Sequence, residues 1–110
     1  MRNINAIRSK RGIYVFIYIQ FSIKDQQAFS IYAKQVSATV EKYGGKTIAV
    51  NKQVTPLTGE INADVSVIQQ WPSLEDAEQW LASPEYAPLK KIRDEKAMEN
   101  LVILHLSNVT

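Results

Sequence analysis

At 110 residues, 45% of them apolar and 22% charged, the chain has the size and composition of one globular domain, which excludes a disordered tract or a two-domain protein. It contains no cysteine, which excludes disulfides and thiolate metal sites and suits a reducing cytoplasm. The net charge of +2 hides an asymmetry: Arg2, Arg8, Lys10 and Arg11 precede the first apolar run, and the rest holds nine basic against eleven acidic residues, too little positive charge for a nucleic-acid partner to be expected.

Residues 1–11 read as a flexible basic leader and 12–110 as a single domain. The leader and the apolar run after it imitate a secretory signal. That run is β-branched and aromatic, however, no small-residue cleavage site follows, and it is far too short to span a membrane. The expectation is a cytoplasmic protein without a membrane partner.

From Ile13 to Phe21, odd positions carry Ile, Val and Phe, and even positions carry Tyr14, Phe16, Tyr18 and Gln20. Period-two alternation predicts a strand, and apolar side chains on both of its faces require cover on both. Ser22 and Asp25 have capping-box spacing ahead of a helix whose apolar stripe is Phe29, Tyr32, Ala33, Val36, Val40 and Tyr43. Gly44-Gly45 ends it. Thr47 to Val50 is a short second strand, Asn51 to Ala63 a loop with Pro56 and Gly59, and Asp64 to Trp71 a third strand. Ser73 and Asp76 cap a second helix with Leu74, Ala77, Trp80 and Leu81 inward, and Ser83-Pro84 breaks it. Leu89 to Glu99 reads as a short third helix and Leu101 to Leu106 as the last strand.

This order predicts an α+β fold, a ferredoxin-like βαββαβ sandwich with an antiparallel sheet and its helices on one face. A bare opposite face built on Tyr14, Phe16 and Tyr18 exceeds what a lone protomer usually exposes. A second copy, packed face to face, is the simplest cover and gives a homodimeric α/β barrel.

Several residues carry a resemblance: Tyr43-Gly44-Gly45, Leu57-x-Gly59, Trp71-Pro72-Ser73, and Trp80-x-x-Ser83-Pro84-Glu85-Tyr86 with Leu89 and Arg93. From Gly12 to Leu106 the chain resembles the domain-of-unknown-function 1330 family of the dimeric α/β-barrel superfamily. The resemblance implies the fold and the dimer, but no reaction. It also implies arginine at the positions held here by Val50 and Val65, glutamate at Gln70, and a Trp-Pro pair at Ile61-Asn62. Charged groups of the family pattern are therefore missing.

The residues that could carry chemistry are few. Tyr14, Tyr18, Gln20, Ser66 and Gln70 share the sheet face a dimer would enclose, as ligand-cavity walls or simply as dimer core. Arg93 is able to hold a carboxylate ligand or to anchor its own segment by pairing with Glu85 or another acid. His105 is the one histidine, either an edge-strand residue or a cavity group. Trp80 belongs to the core. No metal site, cofactor motif, phosphate loop or nucleophile elbow is visible. Three readings stand: a dimeric binder of a small molecule in a cavity between or beside the sheets, a cofactor-independent oxygenase- or isomerase-like enzyme, and a structural or interaction module. Whether the protein is an enzyme stays open.

Overall fold

The computed structural model describes residues 13–109; the basic leader lies outside them. The chain forms β1 (Val15–Ile23), α1 (Gln26–Lys42), β2 (Lys46–Asn51), β3 (Val65–Trp71), α2 (Leu74–Leu81), α3 (Ala87–Ile92), a π-helical turn (Arg93–Ala97) and β4 (Met98–Leu106). The four strands make one antiparallel sheet in the order β2-β3-β1-β4, the ferredoxin-like arrangement the element order predicts. The molecule measures 41 × 36 × 17 Å, a slab of one helical layer on one sheet.

Residues directly opposite in an antiparallel pair project to the same face, so the register sorts the side chains. Ile17, Ile19 and Phe21 of β1 oppose Gln69, Val67 and Val65 of β3. This face meets the helices and forms the core with Trp71, Trp80, Tyr32, Val40 and Tyr86. The other face carries Phe16, Tyr18 and Gln20 opposite Gln70, Ile68 and Ser66, and opposite Leu106, Leu104 and Val102 of β4. No described element covers it.

β-branched and aromatic residues in β1 favour the extended chain, and the strand runs two residues past the predicted end, to Ile23. Ser22 therefore lies in the strand and caps nothing. Asp25 is the N-cap residue of α1, but its side chain makes no cap bond. The Ile23 amide donates instead to Asp64 Oδ2 at 2.8 Å. On α1, Tyr32 and Val40 are buried as expected, Ala28 joins them, and Ala33 is exposed. The helix ends because Gly44 takes φ +96°, open to glycine at little cost.

The cap of α2 is as predicted: Ser73 Oγ accepts from the Asp76 amide at 3.1 Å and donates to Asp76 Oδ2 at 2.8 Å. Leu74, expected on the inward stripe, is instead exposed, because the buried side of this eight-residue helix runs through Ala77 and Trp80. The third helix is shorter than predicted. It passes into the π-helical turn at Arg93, and Met98 and Glu99 already belong to β4. Met98 pairs with Ile23, and the Lys24 amide donates to the Ala97 carbonyl at 2.9 Å, so pairing with β1 outcompetes a last helical turn.

Candidate functional site

Helix α1 crosses the covered face of the sheet without filling the space beneath it. A cavity of about 230 Å³ lies there, walled by Ile19, Phe21, Val36, Val65, Val67 and Ile103 among others. Thr47, Val50 and Lys52, on the β2 side of the wall, are exposed, as are Ala33 and Ser37 of α1, so this side opens to solvent. Val50 and Val65, where the family resemblance implies arginine, both line it, and the wall is correspondingly apolar.

The turn after α2 brings Tyr86 to the cavity. Ser83 Oγ donates to the Trp80 carbonyl at 2.7 Å and accepts from the Tyr86 amide at 3.1 Å, which fixes the chain ahead of α3. Tyr86 is thereby sunk into the core, its ring 4.4 Å from that of Trp80. Its hydroxyl meets the Tyr32 hydroxyl at 2.6 Å and accepts from Arg93 Nη1 at 3.4 Å. Tyr32, Tyr86 and Arg93 thus form one contiguous polar cluster in an apolar wall. Burial foremost, and then the Tyr86 hydroxyl, push the Tyr32 phenol far above its ordinary pKa, so it stays protonated. The cluster is equipped for hydrogen bonding rather than for proton removal at neutral pH. Gln69 also lines the cavity, its Oε1 accepting from Trp71 Nε1 at 2.9 Å.

Arg93 pairs with Asp94, not with Glu85: Nε donates to Oδ1 at 2.7 Å and Nη2 to Oδ2 at 3.1 Å. The guanidinium in turn holds the Asp94 carboxyl below its usual range. Glu85 accepts instead from Lys42 Nζ and, at 2.6 Å, from Tyr43 Oη.

The residues singled out from sequence divide between the two faces. Tyr18, Gln20 and Ser66 meet on the open face, where Tyr18 Oη donates to Gln20 Oε1 at 3.0 Å and lies 3.1 Å from Ser66 Oγ. Gln70 shares that face opposite Phe16, and Tyr14 precedes β1 in the same alternation. Arg93 lies on the helix side, at the cavity. His105 opposes Ile17, which places it on the helix-side face of the edge strand, exposed and apart from the open-face group. Sequence reasoning missed Tyr32 and Gln69 as cavity groups, since Tyr32 fits the α1 stripe like any core aromatic. It also missed how far Val102, Leu104 and Leu106 bring β4 onto the open face, although every second residue from Val102 signals it. Trp80 is core, as expected. Among the described residues no group of three or more His, Cys, Asp or Glu is placed to hold a metal, and no helix is long and apolar enough to cross a membrane.

Fold and sheet order define the class as a ferredoxin-like α+β domain. The chain belongs to the family described as a domain of unknown function (DUF1330), whose sequence profile matches residues 14–106. Among solved structures it is similar to a protein of unknown function from Rhodopseudomonas palustris, with 16% identity, TM-score 0.76, and coverage of 100% of this chain and 96% of that one. It is also similar to a dimeric protein of unknown function with a ferredoxin-like fold from Bacteroides fragilis, with 14% identity, TM-score 0.57, and coverage of 86% and 96%. A third similar structure is SnoaB, a cofactor-independent oxygenase from Streptomyces nogalater, with 14% identity, TM-score 0.59, and coverage of 89% and 95%. At these identities the likeness carries the fold alone. No curated protein matches the chain.

Proposed function

We propose that the protein is a homodimeric binding protein that takes a small molecule into the cavity between α1 and the sheet. The observation that carries this reading is an apolar cavity of about 230 Å³ in which Tyr32, Tyr86 and Arg93 bring their polar atoms to one place. Apolar walls with a few convergent polar groups are the usual make-up of a ligand site. The volume lies just below the ~300–1,000 Å³ common for such sites, which argues for a ligand of one ring or a short branched chain. The dimer is supported by the uncovered face of the sheet and by the dimeric state of the Bacteroides fragilis protein. The Tyr18, Gln20 and Ser66 group then falls at the dimer core. Absence of cysteine suits the cytoplasm, and the charge of the body argues against nucleic acid. For the oxygenase-like alternative, the likeness to SnoaB supplies the fold and nothing of the chemistry.

Native mass spectrometry of the purified protein, followed by thermal shift against a panel of small metabolites, tests the reading. Ala33 is exposed yet lines the cavity, so Ala33→Phe should narrow the entrance without disturbing the core. Stabilisation by at least one compound, lost in Ala33→Phe, is the expected result. Stabilisation that persists in Ala33→Phe, or none across the panel, overturns it.

A further inference from the structure

We propose that the ligand is a small apolar monocarboxylate whose carboxylate docks on the unused N–H groups of the Arg93 guanidinium, an inference that rests on the cavity being the binding site. The argument begins with charge. Two charged side chains line the cavity, Arg93 and Lys52, and both are cationic; no carboxylate of the described residues lines it. Asp94 offsets the charge of Arg93 from outside the lining and Lys52 lies on the exposed side, so the preference for an anionic guest comes from cationic donors that meet no competing carboxylate in the wall itself.

Geometry then specifies the anion. A guanidinium has five N–H donors in a planar fork. Asp94 occupies the side edge through Nε and Nη2, and Tyr86 Oη takes one further donor on Nη1 at a long 3.4 Å. The N–H groups that remain, one on Nη1 and one on Nη2, have no acceptor among the described residues. Two donors on neighbouring nitrogens of one guanidinium are able to meet the two oxygens of a single carboxylate. Asp94 keeps Arg93 compensated while the cavity is empty. Its side chain is 50% exposed against 10% for Arg93, so water screens Asp94 and weakens its repulsion of a second carboxylate. The Tyr86 hydroxyl, 3.4 Å from Nη1, is able to donate to an incoming oxygen, with Tyr32 turning to donate to Tyr86.

The rest of the wall specifies the body of the guest. Ile19, Phe21, Val36, Val65, Val67 and Ile103 offer hydrocarbon contact and no hydrogen bond from their side chains, so the part of the guest against them gains only by being apolar; Ser37, Thr47 and Lys52 lie on the solvent-open side, and Gln69 Oε1 is taken by Trp71. Arg93 also opens a π-helical turn, and such turns often occur at functional sites.

The test compares benzoate, phenylacetate and 4-methylpentanoate with their primary amides by isothermal titration on the intact protein. At least one acid should bind, and its amide should bind at least about tenfold more weakly, the factor expected when a charge-assisted hydrogen bond becomes a neutral one. Arg93→Lys keeps the charge and loses the fork, so it should weaken the acid about tenfold while leaving the amide unchanged. Should Arg93→Lys fail to fold, the acid–amide comparison on the unaltered protein decides. An amide that binds as well as its acid, with both blocked by Ala33→Phe, overturns the carboxylate and leaves the cavity site standing. Acids that bind equally well to Ala33→Phe, or that do not bind at all while other compounds do, also overturn it.

Discussion

At the residue scale, the core depends on one close approach. A Cβ added to Gly45 would lie 2.5 Å from the indole ring of Trp71. Trp71 has no exposed surface and its Nε1 is bonded to Gln69, so the ring cannot swing aside. Gly45→Ala is therefore expected to destabilise the protein by roughly 1–3 kcal/mol, the range for overpacking a filled core. Urea unfolding followed by tryptophan fluorescence measures it, and an unchanged midpoint would show that the ring has room. The Gly-Gly pair was legible in the sequence as a helix stop. Its second member owes its place to an indole 26 positions downstream, and nothing local signals that contact.

At the element scale, α1 and the turn before α3 are clasped at the surface. Glu85 accepts from Lys42 and Tyr43 at the end of α1, and these partners, Lys42 first, hold its carboxyl down at about 2 against a usual 4.5. A carboxyl whose pKa is lower in the folded state contributes stability above the unfolded value and loses it as pH falls toward the folded one. The clasp should therefore act fully above pH 4.5 and fade between there and pH 2. Unfolding midpoints across that window should fall more steeply for the unaltered protein than for Glu85→Gln, and parallel curves would deny the clasp any role. Screening by solvent keeps the effect small. Element type was legible except at 93–99, read as helix but forming the π-helical turn and the start of β4, and the ends were not: β1 runs to Ile23 and β4 begins at Met98 because the two strands pair there. Strand pairing is a long-range matter that propensity does not report.

At the scale of the whole molecule, the slab has one face too many. Val102, Leu104 and Leu106 are 40–44% exposed on the open side of the sheet, next to the half-buried Phe16, Tyr18 and Ile68. A contiguous apolar patch of this kind marks an interface. We expect the protein to sediment as a dimer at micromolar concentration and Leu104→Asp to sediment as a folded monomer, since a charge on that patch would be buried unpaired in the dimer but solvated in the protomer. A monomer of the unaltered chain would refute the pairing. The sequence pointed to the rings of β1 as the sticky surface. In the sheet β1 is an inner strand, partly shielded by its neighbours, and the aliphatic residues of edge strand β4 are the more exposed.

The chain by itself determined the succession of strands and helices, the split βαβ plan and the apolar character of the sheet's second face. These follow from periodicity and turn chemistry, which are properties of neighbouring residues. Only the tertiary structure decided that Tyr32 meets Tyr86 across 54 positions, that Arg93 turns to Asp94 rather than Glu85, and that a cavity is left beneath α1. Those outcomes depend on how a helix axis crosses a sheet and on which buried polar atoms remain within reach of one another. Both are set by the path of the whole chain, and no short window of sequence contains that information.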